Sequence, residues 1–207
     1  MIAIVDYGMA NLHSVERALQ NAGGSPIITG DPDVIAGADK VVLPGVGAFC
    51  AAMSNLHERG LVDAVKAAAL AGKPFLGICL GLQLLFDSST ELGTSHGLGI
   101  CAGSVQRFYP DSPAPLGIKI PHIGWNTLHF THPSRFFRNV DEGACVYFVH
   151  SYFPVPQDDS IVSAVSNHGI DFCCAIEMGN VMAVQFHPEK SGAVGRVMLK
   201  NFVDWKP

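Results

Sequence analysis

The stretch KPFLGICLGLQLLF, Lys73 to Phe86, decides the fold. Pro74 to Ile78 is an apolar run of β character that stops at Cys79, and Leu80, Leu82, Leu84, Leu85 and Phe86 follow at once in a pattern that predicts a helix. Gly77 and Gly81 flank the cysteine at minus two and plus two. This is the G-x-C-x-G form of a nucleophile elbow, a sharp strand-to-helix turn that lifts a reactive side chain clear of the backbone. In so tight a turn the residues two positions to either side face one another, and only glycine leaves room. A thiol at a helix N-terminus also lies beside unpaired N–H groups and the positive end of the dipole, which favours the thiolate. The elbow alone equally suits a small cysteine packed at a strand end. The rest of the chain separates the two.

Before the elbow, strand and helix alternate. Ile2 to Tyr7 reads as a buried strand, and Asn11 stands where it can cap a helix with the apolar stripe Leu12, Val15, Ala18 and Leu19. Ser25 to Thr29 and Lys40 to Leu43 are further strands, and Leu61 to Leu70 is an alanine-rich helix leading to the strand before Cys79. Units of this length predict an α/β fold of the flavodoxin-like kind, a mostly parallel open sheet with helices on both faces. Ligands of such sheets sit at the carboxyl ends of the strands. Gly8 to Asn11, Pro44 to Gly47 and Cys79 all fall there. The PGVG turn, Pro44 to Gly47, is suited to present a backbone N–H to a developing oxyanion, most directly at Val46, with Leu80 as the second donor.

After the elbow, Asp87 to Gly99 is polar and glycine-containing, the pattern of a mobile loop. Short strand-like runs follow at Val105 to Phe108, Ile118 to Ile120, Val146 to Val149, Ile161 to Ser166, Phe172 to Glu177 and Val181 to Phe186, punctuated by proline and glycine. They predict a partly antiparallel extension of the sheet. Gly195 to Trp205 closes the chain as a helix. No repeat or linker divides it, so residues 1–207 are expected to form a single domain.

Composition narrows the function classes. Hydrophobic residues make up 48% of the 207 and charged residues 15%, as in a packed globular chain. A net charge of -5 argues against a nucleic-acid partner. No apolar run reaches the roughly eighteen residues of a membrane span. No secretory signal pattern opens the chain. The six cysteines are scattered without a CxxC, which points to a reducing, cytoplasmic setting. No phosphate-binding glycine motif or metal-ligand cluster stands out, and neither a metal nor an organic cofactor is expected.

A nucleophilic cysteine needs a general base and a group that orients it. Among nine histidines, His187 follows the apolar strand VMAVQF and opens HPEKS, with Glu189 two residues on and able to fix the imidazole tautomer. His150 in YFVHSY ends a strand but has no acidic neighbour. His122 and His168 carry no local signal.

With these residues in view, the sequence resembles a known family. GICLGLQ (Gly77 to Gln83), QFHPEKS (Gln185 to Ser191) and PGVGAF (Pro44 to Phe49) are similar to the motifs of class I glutamine amidotransferases. DYGMANLHSV (Asp6 to Val15), GLGICAGSVQRF (Gly97 to Phe108), PHIGWN (Pro121 to Asn126) and YFVHSY (Tyr147 to Tyr152) narrow the resemblance to the glutaminase subunits of imidazole glycerol phosphate synthase. Ala10 departs from the glycine usual there. The resemblance implies a Cys79–His187–Glu189 triad acting on glutamine, with Val46 and Leu80 at the oxyanion. It implies glutamine contacts at Gln83, Ser151 and Tyr152. It also implies a heterodimer in which ammonia passes to a (β/α)8-barrel cyclase, a separate polypeptide since this chain stops just after its last helix. Trp125, exposed in an apolar stretch, Asn11 and Lys190 are the expected partner contacts, with core packing as the other reading of Trp125. Two other readings are a different amidotransferase subunit, as in anthranilate synthase, and a flavodoxin-like scaffold with an inert cysteine.

Overall fold

The computed structural model describes residues 1–206. The first half runs β1 (Ile2–Val5), α1 (Leu12–Asn21), β2 (Pro26–Thr29), α2 (Pro32–Gly37), β3 (Lys40–Gly45), α3 (Phe49–Glu58), α4 (Val62–Leu70) and β4 (Phe75–Cys79). Strands dominate the second half: after the short α5 (Leu80–Gln83) come β5 (Phe86–Ser89), β6 (Ser95–His96), β7 (Cys101–Arg107), β8 (His122–Thr127) and β9 (His129–Phe130). Then follow β10 (Cys145–His150), β11 (Tyr152–Pro156), β12 (Val162–Asn167), β13 (Asp171–Met178), β14 (Val181–Val184) and α6 (Gly192–Asp204).

The main sheet has eight strands in the order β2-β1-β3-β4-β14-β13-β12-β9. From β2 to β14 the neighbours are parallel, and β13, β12 and β9 continue the sheet antiparallel. The expected mostly parallel sheet with an antiparallel extension is therefore what forms. Two small sheets, β10-β8 and β11-β7-β5-β6, stand beside it.

Side chains that alternate along the central strands feed two apolar layers. Ala3, Val5, Val41, Leu43, Phe75 and Ala183 pack on one face against Ile35 of α2, Phe49 and Leu56 of α3 and Val65 of α4. Ile2, Ile4, Val42, Leu76, Met182 and Val184 pack on the other against Leu19 of α1 and Met198, Leu199 and Phe202 of α6. The sheet is thus buried on both faces, and its carboxyl-end edge is left to build a site.

Several elements differ from the sequence reading. The helix after Cys79 is one turn long, because the carbonyls of Leu84 and Leu85 accept from the N–H groups of Leu98, Ile100 and Cys101 instead of continuing a helix, and the chain re-enters a strand at Phe86. The polar segment from Asp87 to Gly99 is tied down: Gly97 N–H donates to Asp87 O at 2.9 Å, and Glu91 Oε2 accepts from Phe49 N–H at 2.7 Å at the start of α3. Ile118 to Ile120 is no strand. Ile118 N–H closes a turn onto Pro115 O, and pairing starts only at His122, where β8 meets β10. Helices α2 and α3 escaped the sequence reading. Asn11 does precede α1, but its side chain makes no capping bond.

Candidate active site

Cys79 sits at φ 55°, ψ -108°, a left-handed conformation that a non-glycine residue adopts only when its surroundings enforce it. The two glycines enforce it differently. A Cβ on Gly77 would lie 2.9 Å from the Ala183 Cβ and 3.0 Å from Gly81 O, so this glycine does face its elbow partner. A Cβ on Gly81 would lie 1.8 Å from Leu43 O, so Gly81 is required by the neighbouring strand β3. The thiol is 6% exposed at the floor of a cavity of about 350 Å3 lined by Val46, Gly47, Leu80, Gln83, Ser151, Tyr152 and His187 among others.

His187 ends the run after β14, which pairs directly with β4, so the parallel register carries the histidine to the same edge as Cys79. Its N–H donates to Tyr147 O at 2.9 Å. Ser191 Oγ donates to His187 O at 2.7 Å and accepts from Tyr147 N–H at 3.0 Å. The HPEKS turn is thereby pinned to β10. Nδ1 of His187 lies 2.8 Å from Glu189 Oε1, and the two side chains are 3% and 2% exposed. A carboxylate only accepts, so Nδ1 carries the proton and donates it, leaving Nε2 turned to the cavity. Nε2 is buried with no completed hydrogen bond. Burial alone would push the imidazole down, but the Cys79 sulfur beside it and Glu189 behind it overcome that and raise His187 to about 9. The imidazole beside the Cys79 sulfur is therefore held charged, with a proton to give from Nε2.

The Pro44 to Gly47 loop, expected from the sequence to present a donor to the oxyanion, is arranged differently. Val46 N–H donates to Met9 O at 3.0 Å, so this amide is engaged by the loop after β1 and does not face the cavity as a free donor. Leu80 follows the last rung of the β3–β4 ladder, where Gly45 pairs with Cys79, so its N–H also borders this loop. Tyr7 braces the same loop: its buried hydroxyl donates to Pro44 O at 2.9 Å, and a Cβ on Gly45 would lie 2.2 Å from that oxygen. Burial and the nearby Cys79 hold the Tyr7 phenol well above its ordinary range.

Gln83, Ser151 and Tyr152, read from the sequence as glutamine contacts, line the cavity with Cys79. Gln83 spends both hydrogens of its amide nitrogen, donating to Tyr152 O at 2.9 Å and to Gln185 Oε1 at 3.0 Å. What it has left for a ligand is its carbonyl oxygen, an acceptor suited to an ammonium or amide donor. Among the described residues no group of three His, Cys, Asp or Glu side chains could hold a metal ion.

Residues 3–205 match the family described as glutamine amidotransferase class-I. The chain belongs to that family. Among curated amidotransferase relatives, the imidazole glycerol phosphate synthase subunit HisH of Syntrophotalea carbinolica is 50% identical over 99% of this chain and 100% of its own. The protein of the same name from Thermosynechococcus vestitus is 52% identical over 98% of this chain and 95% of its own. Among solved structures, PurLQS from Thermotoga maritima superposes with a TM-score of 0.73 at 20% identity, covering 98% of this chain and 97% of that one, which speaks to the fold alone.

The amidotransferase site also includes residues the sequence reading passed over. Gln185, completely buried, donates to Cys79 Sγ at 3.7 Å. Its signal was a lone amide in the apolar run VMAVQF, which a buried strand end cannot leave unpartnered. His122, within PHIGWN but given no role from the sequence, lies buried with His150. Glu91 and Met9 hold the Pro44–Gly47 loop and the start of α3 through Phe49 N–H and Val46 N–H. Of the expected partner contacts, Trp125 is 59% exposed and packs edge-on to Tyr147 at 6.1 Å, and Lys190 stands over the same Tyr147 ring at 6.0 Å. Asn11 is exposed at the start of α1.

Proposed function

We propose that this chain acts as one amidotransferase domain that hydrolyses glutamine and delivers the ammonia to a separate (β/α)8-barrel cyclase, making imidazole glycerol phosphate in histidine biosynthesis. The observation that carries the chemistry is the strained Cys79 at the floor of a cavity that His187 also lines, with Glu189 2.8 Å behind the imidazole. The substrate and partner rest on full-length relatives, about half identical, that are named as subunits of imidazole glycerol phosphate synthase. The cytoplasm is the fitting compartment: all six cysteines are free, and no helix among the described residues is long and apolar enough to cross a membrane.

The steps follow from where the groups stand. Cys79 Sγ attacks the side-chain amide carbon of glutamine, and the carbonyl oxygen takes the negative charge. Leu80 N–H and, once it leaves Met9, Val46 N–H are the donors that would stabilise that oxygen. His187 Nε2 gives its proton to the departing nitrogen, the C–N bond breaks, and ammonia leaves a γ-glutamyl thioester on Cys79. Neutral His187 then takes a proton from water, whose oxygen attacks the thioester through a second oxyanion. The C–S bond breaks, glutamate leaves, and the thiolate and imidazolium are restored. Glu189 keeps the Nδ1 proton in place throughout.

The test is glutamate release from glutamine by the purified chain, alone and with an imidazole glycerol phosphate cyclase barrel and its phosphoribulosyl ligand. A rise on adding the barrel that vanishes in Cys79→Ser is expected. Equal activity with and without the barrel would remove the partner assignment while leaving the triad.

A further inference from the structure

Gln185 belongs to a buried hydrogen-bond relay whose polarity is fixed at every joint. Tyr152 O can only accept, so His150 Nδ1, 2.9 Å away, carries a proton and donates it. Burial holds His150 down to about 3 and His122 to about 4, so both rings are neutral. His150 Nε2 must then accept, and His122 Nδ1–H donates to it at 3.0 Å. His122 Nε2 in turn accepts from Asn126 Nδ2 at 3.2 Å, whose other hydrogen goes to Asn167 O at 2.8 Å.

From the other side, Tyr152 O also accepts from Gln83 Nε2, whose second hydrogen goes to Gln185 Oε1. That fixes the orientation of the Gln185 amide. Turned over, it would set two NH2 groups against each other. Its nitrogen is thus the end that faces Cys79, donating at 3.7 Å to a sulfur that accepts best as a thiolate.

We propose that this relay, ending in the Gln185 amide, fixes the position of the Cys79 sulfur and favours its thiolate form, with Gln185 contacting the reacting atom and Gln83, His150 and His122 acting as positioning residues behind it. The inference goes deeper into the nucleophile of the proposed glutaminase and rests on that reading for turnover, but not for thiol reactivity. The titratable groups facing the sulfur are His187 beyond β14, with Glu189 behind it, and Tyr7 beyond β1. His150, Glu91 and Tyr152 line the same cavity as Cys79. Of the groups around the sulfur, Gln185 is the neutral donor. Its contribution does not titrate.

The experiment measures alkylation of Cys79 by iodoacetamide against pH in the free chain, following the Cys79 peptide by mass spectrometry so that the exposed Cys145 does not interfere. In Gln185→Met, which keeps the length and loses the donor, the midpoint of the alkylation profile is expected to rise by about one unit, a roughly tenfold loss of thiolate below it. With the cyclase present, kcat should fall about tenfold with KM little changed, since Gln185 does not line the cavity. Gln83→Met, which frees the Gln185 amide to rotate, should move the alkylation midpoint the same way by less. Circular dichroism tests that each variant is folded. A folded Gln185→Met with an unchanged alkylation profile overturns the proposal. If that variant does not fold, Gln83→Met decides: an upward shift supports the relay and an unchanged profile overturns it. Loss of turnover with wild-type alkylation would count against the relay without touching the glutaminase reading. An altered alkylation profile in a chain that never releases glutamate would do the reverse.

Discussion

His187 Nδ1 and Glu189 Oε1 lie 2.8 Å apart with both side chains buried, and this contact is one of the two that hold the imidazole charged. The His187 value in the fold, about 9, is above its ordinary 6.5, so the folded state binds this proton more tightly than the unfolded chain does. The resulting stabilisation is complete below pH 6.5 and is lost as pH rises through about 9. The denaturant midpoint is therefore expected to fall across that window, and to fall less in Glu189→Gln, which removes the carboxylate charge. The same substitution should move the alkaline limb of kcat/KM to lower pH and reduce kcat by about 10²–10⁴-fold. An alkaline limb that stays in place would mean that Glu189 does not hold the imidazolium.

The Val46 amide is committed to Met9 O at 3.0 Å, so this proposed oxyanion donor is taken up in the free chain. A missing donor typically costs about 10²–10³ in kcat. The free chain is therefore expected to release glutamate slowly, and the Val46 amide to be protected from hydrogen exchange. With the cyclase and its ligand bound, turnover should rise by that order and the Val46 amide should lose its protection. Activation with Val46 still protected would place the second donor elsewhere in the loop.

Much of this site is written in local pattern. The elbow could be read because Gly77, Cys79 and Gly81 stand within five residues at a recognisable spacing, and His187 with Glu189 because both lie in one turn. The parallel sheet followed from the β and α spacing of the first half. What escaped depends on partners far off in sequence. Gly81 is set by Leu43 O, Gln185 by Gln83 and Cys79, and His122 by His150 across β8 and β10. The shortened α5 belongs to the same class. Leu80 to Phe86 has helical apolar character throughout, and only the claims of Leu98, Ile100 and Cys101 on its carbonyls stop the helix.

Trp125 exposes more than half of its surface and rests edge-on against Tyr147, which also lies under Lys190. Its neighbour on the same face of β8, Ile123, is 60% exposed, so an apolar patch lies next to the HPEKS turn. Such a side chain contributes little to the free fold but can anchor an interface. Trp125→Ala is expected to change the stability of the free chain by less than about 1 kcal/mol. Titration with the cyclase barrel should give a Kd weaker by at least about tenfold, the loss of a moderate hot spot. Unchanged affinity together with unchanged coupled turnover would rule Trp125 out as a contact.

The elbow glycines give a steric prediction that does not depend on substrate or partner. A methyl on Gly81 would lie 1.8 Å from Leu43 O and 2.8 Å from Leu43 C, backbone atoms of β3 that cannot turn aside. A methyl on Gly77 would meet the Ala183 Cβ at 2.9 Å and Gly81 O at 3.0 Å, overlaps of a few tenths of an ångström that small shifts can absorb. Gly81→Ala is therefore expected to separate β4 from β3 at the site and cost more than about 3 kcal/mol, the upper range for overpacking, or to prevent folding outright. Gly77→Ala should cost about 1–3 kcal/mol and leave a folded chain with a displaced Cys79. Urea denaturation of the two variants checks the order. Equal costs would mean that the elbow relaxes at Gly81 by moving β3, contrary to a register in which Gly45 pairs directly with Cys79.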